Sequence, residues 1–408
     1  MLPNRTVRQR HWLPLLLRLV ALGIILGFAA PIQAQDAPGT LDLVSGTVVG
    51  PDPSDFQTAA LQPDGKILIA GGFSYWSGLP RPGIVRMNVD GTVDRTFAPI
   101  GGIDVRAGEL IQQIVVLPSG QILIGGNFTN YDGVAVPGLA RLNADGSLDP
   151  TFTADIVLDG YVPAVEQIAL LPRGQILIAG DFAAADGATA LNIARLNADG
   201  SRDESFRSPG FDPAGRIDAL AAQSDGQILI GGDFVDVGGV ARYGLARLNW
   251  NGSLDGSFDP GAGAHQVYVI VPVADGQVLV GGSFKKYAGD PSARYLLRLN
   301  ADGTRDRTFA AQVDAQVEDI AVTADGDYVL GGWFSRVDGV SRLGVARIHA
   351  DGTLDATFDP TGGPAPHGAH GPVYVVIPQA DGQILIGGNF AAQGSLIRSN
   401  VMWIGGEQ

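Results

Sequence analysis

The sequence of 408 residues contains no cysteine. It therefore has no disulfide, zinc–thiolate site, iron–sulfur cluster, cysteine nucleophile or lipid-anchored cysteine. Positive charge is also scarce, since 27 lysines and arginines face 42 aspartates and glutamates and leave a net charge of −15. Such a chain lacks the positive field that attracts phosphate backbones, so we expect no nucleic-acid partner.

Familiar enzyme motifs are missing as well. The sequence has no Gly-x-Ser-x-Gly elbow, no P-loop and no His-Glu-x-x-His, which mark serine hydrolases, nucleotide-binding enzymes and zinc metalloproteases. We predict no cofactor, and an enzymatic activity is left open but not favoured. Glycine, in contrast, is abundant, with 58 residues in a chain that is 45% hydrophobic. This composition excludes a disordered chain, and the glycines lack the every-third spacing of collagen.

The first 34 residues have the order of a secretory signal. Their basic start carries Arg5, Arg8 and Arg10. Arg18 interrupts the apolar stretch that follows, so its longest uncharged run, Leu19–Ala30, has 12 residues, against about 20 for a spanning helix. We predict a cleaved signal at 1–34 and a secreted or extracytoplasmic chain, 35–408, without a membrane span. An uncleaved membrane anchor is the alternative.

The rest of the chain is one unit repeated seven times. A Gly-x-Phe sequence recurs at intervals of 50 to 56 residues, with its phenylalanines at Phe73, Phe128, Phe182, Phe234, Phe284, Phe334 and Phe390. A second phenylalanine closes each of the first six units, at Phe97, Phe152, Phe206, Phe258, Phe309 and Phe358. Repeats of this length are typical of propellers and solenoids, so we predict one domain at 35–408.

The second unit shows how one repeat is built. Four runs of strand-forming residues, Leu110–Leu117, 121–126, Leu139–Asn143 and Ser147–Phe152, are separated by turns rich in glycine, proline and aspartate. We therefore predict an all-β protein, a seven-bladed β-propeller of four-stranded antiparallel blades. The repeats lie at about 56–97, 111–152, 165–206, 217–258, 267–309, 317–358 and 373–404 plus 39–45.

The turn between the third and fourth strands predicts a charge pair. The three-residue turn Ala-Asp-Gly places Arg141 opposite Asp149. The same spacing pairs Arg86 with Asp94, Arg195 with Asp203, Arg247 with Asp255, Arg298 with Asp306 and Arg347 with Asp355. The seventh unit contains Arg398 without a following aspartate, whereas the sequence Gly39–Asp42 matches the missing strand. We predict that this segment completes the seventh blade, with Asp42 beside Arg398, and closes the ring.

These motifs resemble a known family, the delta-60 repeat β-propellers of bacterial exported proteins. The resemblance rests on segments such as GQILIGGNF at 120–128 and ARLNADGSLD at 140–149, and it extends over roughly residues 39–404. Kelch propellers are more distantly similar. The resemblance implies a propeller of surface or secreted proteins, and it implies no particular chemistry.

Two sets of loops vary between the repeats and indicate a binding face. In a four-stranded blade, the loops between strands two and three lie on the same face as those that lead to the next blade, and variable loops on a rigid scaffold commonly carry recognition. The candidate ligand-binding residues there are Tyr75, Trp76, Tyr131, Lys285, Lys286, Tyr287 and His265. We predict a monomeric binding scaffold for a glycan or a protein. Alternatively, these side chains cover the flanks of the blades.

A second candidate site is the start of strand one, where the aligned residues are Gln57, Gln112, Glu166, Asp218, Tyr268, Glu318 and Tyr374. These side chains are expected to line the mouth of a central channel, with Asp319 beside Glu318. Glu166, Asp218 and Glu318 are candidate acid and base residues of a carbohydrate-active enzyme, a glycoside hydrolase or lyase. A hydrated polar rim at the strand ends, in a purely structural propeller, would account for the same residues.

The repeated Asn-x-Asp-Gly-Ser/Thr-x-Asp sequence resembles a calcium loop. In the second unit its oxygen-bearing residues are Asn143, Asp145, Ser147 and Asp149. Its glycine is at the fourth position, whereas the EF-hand loop has glycine at the sixth and ends in glutamate. Because Asp-Gly is also the chemistry of tight hairpins, we favour a turn and leave calcium as an alternative.

Overall fold

The computed structural model describes residues 41–42, 56–97, 99, 101–105, 108–157, 162–185, 188–189, 192–211, 215–360, 372–379, 382–388 and 401–404. Within these ranges the fold is all-β and propeller-like, and a short 3-10 turn lies at Ala274–Gly276. They contain no helix long and apolar enough to cross a membrane. The predicted signal at 1–34 lies outside the described residues, as do Phe390 and Arg398.

Seven antiparallel sheets follow one another along the described chain, and each has its second strand in the centre. The first strands are β2 (Phe56–Leu61), β7 (Ile111–Val116), β13 (Ala164–Leu170), β18 (Arg216–Ala222), β23 (Val267–Pro272), β26 (Val317–Val322) and β31 (Val373–Pro378). The second strands are β3 (Ile67–Gly71), β8 (Ile122–Gly126), β14 (Ile176–Asp181), β19 (Ile228–Asp233), β24 (Val278–Gly282), β27 (Tyr328–Gly332) and β32 (Ile384–Gly388). The third strands are β6 (Ile84–Met87), β11 (Leu139–Leu142), β17 (Ile193–Leu196), β22 (Leu245–Leu248), β25 (Leu296–Leu299), β30 (Val345–Ile348) and β33 (Val401–Ile404).

Short two-residue strands form hairpins in the loops between the second and third strands. These pairs are β4 (Tyr75–Trp76) with β5 (Leu79–Pro80), β9 (Asn130–Tyr131) with β10 (Val134–Ala135), β15 (Ala184–Ala185) with β16 (Ala188–Thr189), β20 (Asp236–Val237) with β21 (Val240–Ala241), and β28 (Arg336–Val337) with β29 (Val340–Ser341). In addition, β12 (Ile156–Val157) pairs with β15. The loops of the predicted binding face are thus partly ordered by backbone pairing.

The hydrophobic core lies between neighbouring sheets. The central strands are the most buried elements, since every residue of β8 is buried. Leu68 of the first sheet packs with Ile111 and Ile122 of the second, and Leu123 of the second sheet packs with Val165 of the third. A sheet this small cannot bury both faces alone, so each sheet uses its neighbour to cover its apolar surface.

The first strand of each sheet lies beside the first strand of the next sheet. The same relation joins β31 of the seventh sheet to β2 of the first. Phe56 shares one apolar cluster with Leu385 and Val401, and its ring lies so close to Gly387 that a Cβ there would collide with it. The first and seventh sheets are therefore packed directly against each other.

The predicted fourth strand is much shorter than expected. Instead of a strand over Ser147–Phe152, the structure has a single antiparallel bridge between Leu142 and Leu148. Equivalent bridges occur in the other units at Met87–Val93, Leu196–Arg202, Leu248–Leu254, Leu299–Arg305 and Ile348–Leu354. The cause is local, because Asp149 Oδ1 accepts hydrogen bonds from the backbone N and Oγ1 of Thr151 at 2.9 and 2.7 Å and turns the chain away from the ladder.

The seventh sheet takes its outer strand from the other end of the described chain. β1 (Leu41–Asp42) pairs with β33, with Leu41 opposite Ile404 and Asp42 opposite Trp403. Arg398, the predicted partner of Asp42, lies outside the described residues, so that contact stays a prediction. Leu123 pairs with Arg141, 18 residues later, and Leu385 pairs with Trp403 at the same spacing. Spacing along the chain, rather than residue type, determines which residue faces the aspartate.

Candidate functional site

The six arginine–aspartate pairs expected from the turn register are present at the outer side of the sheets. Arg141 Nε lies 2.7 Å from Asp149 Oδ2. The equivalent pairs are Arg86–Asp94 at 2.9 Å, Arg195–Asp203 at 2.8 Å, Arg247–Asp255 at 2.7 Å, Arg298–Asp306 at 2.8 Å and Arg347–Asp355 at 2.6 Å. We call these six pairs, with the groups that they bind, the outer network.

The outer network also joins one sheet to the next. Arg141 Nη1 donates a hydrogen bond to the Ala198 carbonyl of the third sheet, and its guanidinium lies 4.9 Å from the ring centre of Phe152. Burial alone would raise the pKa of Asp149, but hydrogen bonds from Thr151 and the Arg141 charge lower it to about 2. Both carboxylate oxygens are occupied by protein groups, so this region serves the fold.

The calcium-like sequence forms a hydrogen-bonded turn in the structure. Asp145 Oδ1 accepts hydrogen bonds from the backbone N and Oγ of Ser147 at 3.0 and 2.7 Å. Asn143 Nδ2 donates to Ser147 Oγ at 3.0 Å. Among the described residues, no group of three histidine or carboxylate side chains has the proximity needed to hold a metal ion.

Three of the predicted ligand-binding aromatics are buried, which corrects that prediction. Trp76, Tyr131 and Tyr287 are 1%, 0% and 2% exposed. Tyr131 Oη donates to the Gly146 carbonyl at 2.8 Å, and Tyr287 makes the equivalent bond to Gly303. In the two-residue strands, successive side chains point to opposite sides, so the second residue enters the core and only the first faces solvent.

The other predicted ligand-binding residues lie at the surface. Tyr75 is 56% exposed and borders a groove of about 590 Å³ between the first two sheets, with Pro80 and Asn130 on its walls. Lys285 and Lys286 are exposed on the fifth sheet. His265 Nδ1 lies 3.4 Å from Asp233 Oδ1, and its ring lies 5.6 Å from that of Tyr243.

A β-bulge interrupts each of the seven first strands, always at the residue expected to line a channel. The bulged residues are Gln57, Gln112, Glu166, Asp218, Tyr268, Glu318 and Tyr374, and all seven are half-buried. A bulge removes its residue from the regular ladder and re-aims the side chain, and bulges are frequent beside active sites. We call these seven residues the bulge ring.

Two carboxyls of the bulge ring share one cation. Arg216 Nε lies 2.6 Å from Asp218 Oδ1, and the Arg216 charge also acts on Glu166 of the third sheet. Burial raises the pKa of Glu166, which Arg216 opposes and Asp218 reinforces. Burial also raises the pKa of Asp218, whose Oδ2 is buried and has no hydrogen-bond partner. These carboxyls are therefore less readily ionised than exposed ones.

Glu318 belongs to a different group, on the sixth sheet. Its Oε1 accepts a hydrogen bond from Gln316 Nε2 at 2.8 Å, and its carboxylate also interacts with the side chain of Trp333. Burial raises the pKa of Glu318, and these hydrogen bonds oppose the rise. The three candidate catalytic carboxyls are thus divided between two groups, Glu166 with Asp218 and Glu318 with Trp333.

Asp319 follows Glu318 and joins the sixth sheet to the seventh. Its Oδ2 accepts a hydrogen bond from the backbone N of Val376 at 2.8 Å. Burial raises the pKa of Asp319 to about 6, although this bond and one from its neighbouring amide oppose the rise. At the same position of the second sheet, Gln113 accepts a hydrogen bond from the backbone N of Ile168 in the third.

The fifth sheet adds a neutral part to the bulge ring. Tyr268 Oη and Ser283 Oγ lie 2.8 Å apart, and Ser283 donates to Gln266 Oε1 at 2.8 Å.

Trp333 and Arg216 were not predicted from sequence. Trp333 is 49% exposed and occupies the variable position of Gly-x-Phe, where the described counterparts are Gly72, Asn127, Asp181, Asp233 and Ser283. Its size at that position was the signal that could have revealed it.

A family model described as a domain of unknown function (DUF5122) beta-propeller matches six segments of the chain, at 62–97, 117–152, 172–206, 223–258, 274–309 and 323–358. The matches cover more than half of the sequence. The chain belongs to this family. The six segments of the DUF5122 beta-propeller end at the closing phenylalanines of the first six units, while the delta-60 name remains a resemblance.

Solved structures similar to this DUF5122 protein are also known. Virginiamycin B lyase from Staphylococcus aureus is 12% identical with a TM-score of 0.52, over 89% of this chain and 97% of the lyase. PorZ, a surface component of the type-IX secretion system of Porphyromonas gingivalis, is 16% identical with a TM-score of 0.52, over 86% of this chain and 46% of PorZ. The extracellular domain of BT4673 from B. thetaiotaomicron, described as a one-component system, is 14% identical with a TM-score of 0.51 and is matched over 89% of this chain.

The present chain spans 39% of that BT4673 structure. At these identities the similarity concerns the fold alone. No curated protein sequence matches the chain.

Proposed function

We propose that the seven sheets are the blades of one closed seven-bladed propeller, and that the protein is exported. Two observations support closure: β1 supplies the outer strand beside β33, and the first strand of the seventh sheet lies beside that of the first. The sequence at 1–34 supports export, and extracellular and surface proteins are among the similar structures.

We propose further that this propeller is a binding scaffold whose ligand, a glycan, docks at the bulge ring. The observation that carries this proposal is the bulge at the same residue of every first strand. The backbone feature is repeated seven times while the side chains differ, with carboxyls, amides and tyrosines at the seven positions. A repeated distortion with a variable side chain is expected where recognition, rather than packing, selects the residue.

The chemistry of the ring favours a glycan over a nucleic acid or an anionic ligand. Glu166, Asp218 and Glu318 offer acceptors for hydroxyl groups, and Tyr268 and the exposed Trp333 add aromatic surface. Ligand sites commonly combine such apolar surface with a few placed polar groups. The net charge of −15 opposes the approach of an anionic ligand.

A printed array of neutral and charged glycans tests this proposal. We expect the chain without residues 1–34 to bind a subset of neutral glycans, and we expect the double variant Glu166→Gln/Asp218→Asn to bind them at least about tenfold more weakly. Val89→Asp is the matched control, because Val89 is 47% exposed but lies in a turn between third and fourth strands, on the opposite side of a blade from the loops. Loss of binding in Val89→Asp alone, or binding to no glycan, contradicts the proposal.

A second function, cleavage of the bound glycan, is favoured by one observation. Burial raises the pKa of both Glu166 and Asp218, and the Asp218 charge raises that of Glu166 further; a raised pKa is a property of general acids. Incubation of the chain with the glycans that it binds, followed by chromatography of the products, tests cleavage. Products that persist with Glu166→Gln and with Asp218→Asn would exclude these carboxyls as its cause.

A further inference from the structure

Trp333 differs from the other exposed apolar residues in its position. It directly follows β27 and carries the largest side chain found at this position in the described sheets. About half of its surface, 49%, is exposed. Among the described residues, Tyr75 is also an exposed aromatic and lies in the hairpin of the first sheet, whereas Trp333 is adjacent to Glu318 of the bulge ring.

The Trp333 side chain is held in place at one edge. Its backbone N donates to the Gln316 carbonyl at 3.0 Å, and its side chain interacts with the Glu318 carboxylate, which Gln316 also contacts. The preceding Gly332 is required for this close approach, because a Cβ there would collide with the Gln316 carbonyl. An aromatic group that is oriented before binding loses little conformational freedom when a ligand stacks on it.

We propose that Trp333 and Glu318 form a stacking subsite for the ring of a neutral pyranose sugar. This inference rests on the proposed glycan-binding function and assigns its position and ligand class. A pyranose presents an apolar face, which packs on the indole, and hydroxyl groups at its rim. A hydroxyl that donates to the Glu318 carboxylate makes a charge-assisted hydrogen bond, which is stronger than a neutral one.

The charges near the subsite favour a neutral sugar over a uronic acid. Glu318 is followed directly by Asp319, and Asp314 precedes β26 in the same repeat unit, where its carboxylate accepts hydrogen bonds from Ser335. A sugar carboxylate would meet like charge, whereas hydroxyl groups meet acceptors. Trp333 is therefore the specificity-determining residue for the apolar face of the sugar, and Glu318 accepts hydrogen bonds from the sugar hydroxyl groups.

Affinity electrophoresis tests the subsite with five named polysaccharides, namely the neutral laminarin, mannan, xylan and galactan and the anionic polygalacturonate. We expect at least one neutral polysaccharide, but not polygalacturonate, to retard the chain without residues 1–34. Trp333→Ala should weaken this binding at least about tenfold, since the change removes most of the apolar contact. Trp333→Phe should restore part of it, and Glu318→Gln should weaken it severalfold by removing the charge on the acceptor.

Val340→Ala is the matched control, because Val340 is 46% exposed and lies in the hairpin β28–β29 of the same repeat unit. Thermal unfolding should show that Trp333→Ala is as stable as the unsubstituted chain. If Trp333→Ala binds normally while Glu166→Gln/Asp218→Asn does not, the subsite is wrong and the proposed function stands. If Tyr75→Ala alone abolishes binding, the groove of the first sheet is the site and the inference is overturned. If no neutral polysaccharide retards the chain, both proposals fail.

Discussion

The outer network and the bulge ring contain carboxyls whose pKa values are shifted in opposite directions. In the outer network, hydrogen bonds and arginine charges outweigh burial and lower the pKa of Asp149, Asp306 and Asp355 to about 2. In and beside the bulge ring, burial dominates, and it raises the pKa of Asp319 to about 6. The outer carboxylates are compensated within the protein, whereas the inner ones are not fully compensated. This difference separates a region that stabilises the fold from the region at which we propose that a ligand binds.

The two regions also differ in how their sequences vary between repeats. The outer network keeps the same arginine, aspartate and phenylalanine in six units, because each arginine binds an aspartate and lies over a phenylalanine ring, and five of the six also donate to a carbonyl of the next unit. The bulge ring keeps only its backbone geometry. Uniform side chains thus indicate a structural requirement in this protein, and varied side chains on a uniform backbone mark the region at which we propose binding.

The largest effect should follow from breaking the outer network. Arg195 is 1% exposed, binds Asp203 at 2.8 Å and lies 4.1 Å from the ring centre of Trp250. Arg195→Ala should lower the free energy of unfolding by about 3–5 kcal/mol, because it leaves Asp203 buried without its cation. Urea denaturation measures the loss. Arg207→Ala is the control, since Arg207 is exposed, and it should change the free energy by less than about 0.5 kcal/mol. Equal effects of the two substitutions would contradict the assignment.

A smaller effect, with a distinct pH dependence, is expected at Asp319. Its pKa in the folded protein, about 6, exceeds the value of about 3.9 in an unfolded chain. The folded state therefore binds the proton more tightly, and the resulting stabilisation is complete below pH 4 and lost as the pH rises through 6. Relative to Asp319→Gln, the unsubstituted chain should lose roughly 2–3 kcal/mol of stability between pH 4 and pH 7. Glutamine is the appropriate replacement because Gln113 already makes the equivalent hydrogen bond.

Denaturation at pH 4, 5, 6 and 7 measures this difference. Glu318, the neighbouring acid, also has a raised pKa and contributes in the same direction in both proteins. A constant difference between the two proteins over this range would show that Asp319 is ionised normally. The outer network should show the opposite trend, with its stabilisation present above pH 4 and lost as the pH falls towards 2.

The smallest effect should come from neutralising one residue of the bulge ring. Because burial raises the pKa of Glu166, its ionised form is less favourable in the folded protein than in the unfolded chain. At pH 7.5, Glu166→Gln should therefore unfold at the same temperature as the unsubstituted chain or at a higher one. The corresponding change in the free energy of unfolding should be less than about 1 kcal/mol. Asp203→Asn, in the outer network, should unfold at a lower temperature. A clear loss of stability in Glu166→Gln would mean that the ring carboxyl supports the fold.

Local chemistry explains which features could be predicted from the sequence. The turn register predicted the contact between Arg141 and Asp149 because a three-residue Asp-Gly turn fixes which residues face each other. The same aspartate shortened the predicted fourth strand, since its side chain competes with the ladder for the backbone N of Thr151. Alignment by residue type also selected Arg398, whereas the 18-residue spacing places Trp403 opposite Asp42.

The candidate site was harder to predict because it depends on contacts between distant segments. Alignment of the repeats was enough to predict the positions of the bulge-ring residues. The burial of Trp76, Tyr131 and Tyr287 could not be predicted in this way, because it depends on the side to which a short hairpin folds. The partners of Glu318 and Glu166 also depend on neighbouring strands. No local sequence pattern shows that Trp333 lies beside Glu318 or that Arg216 acts on Glu166.

The bulges have a consequence for protein engineering. A bulged residue lies outside the ladder, so its side chain is not selected by the pairing that orders each sheet. Exchanges at the seven positions should alter the chemistry of the ring while leaving the apolar contacts between the sheets intact. A library randomised at the bulges, with the outer network unchanged, would turn this scaffold into a source of new binders.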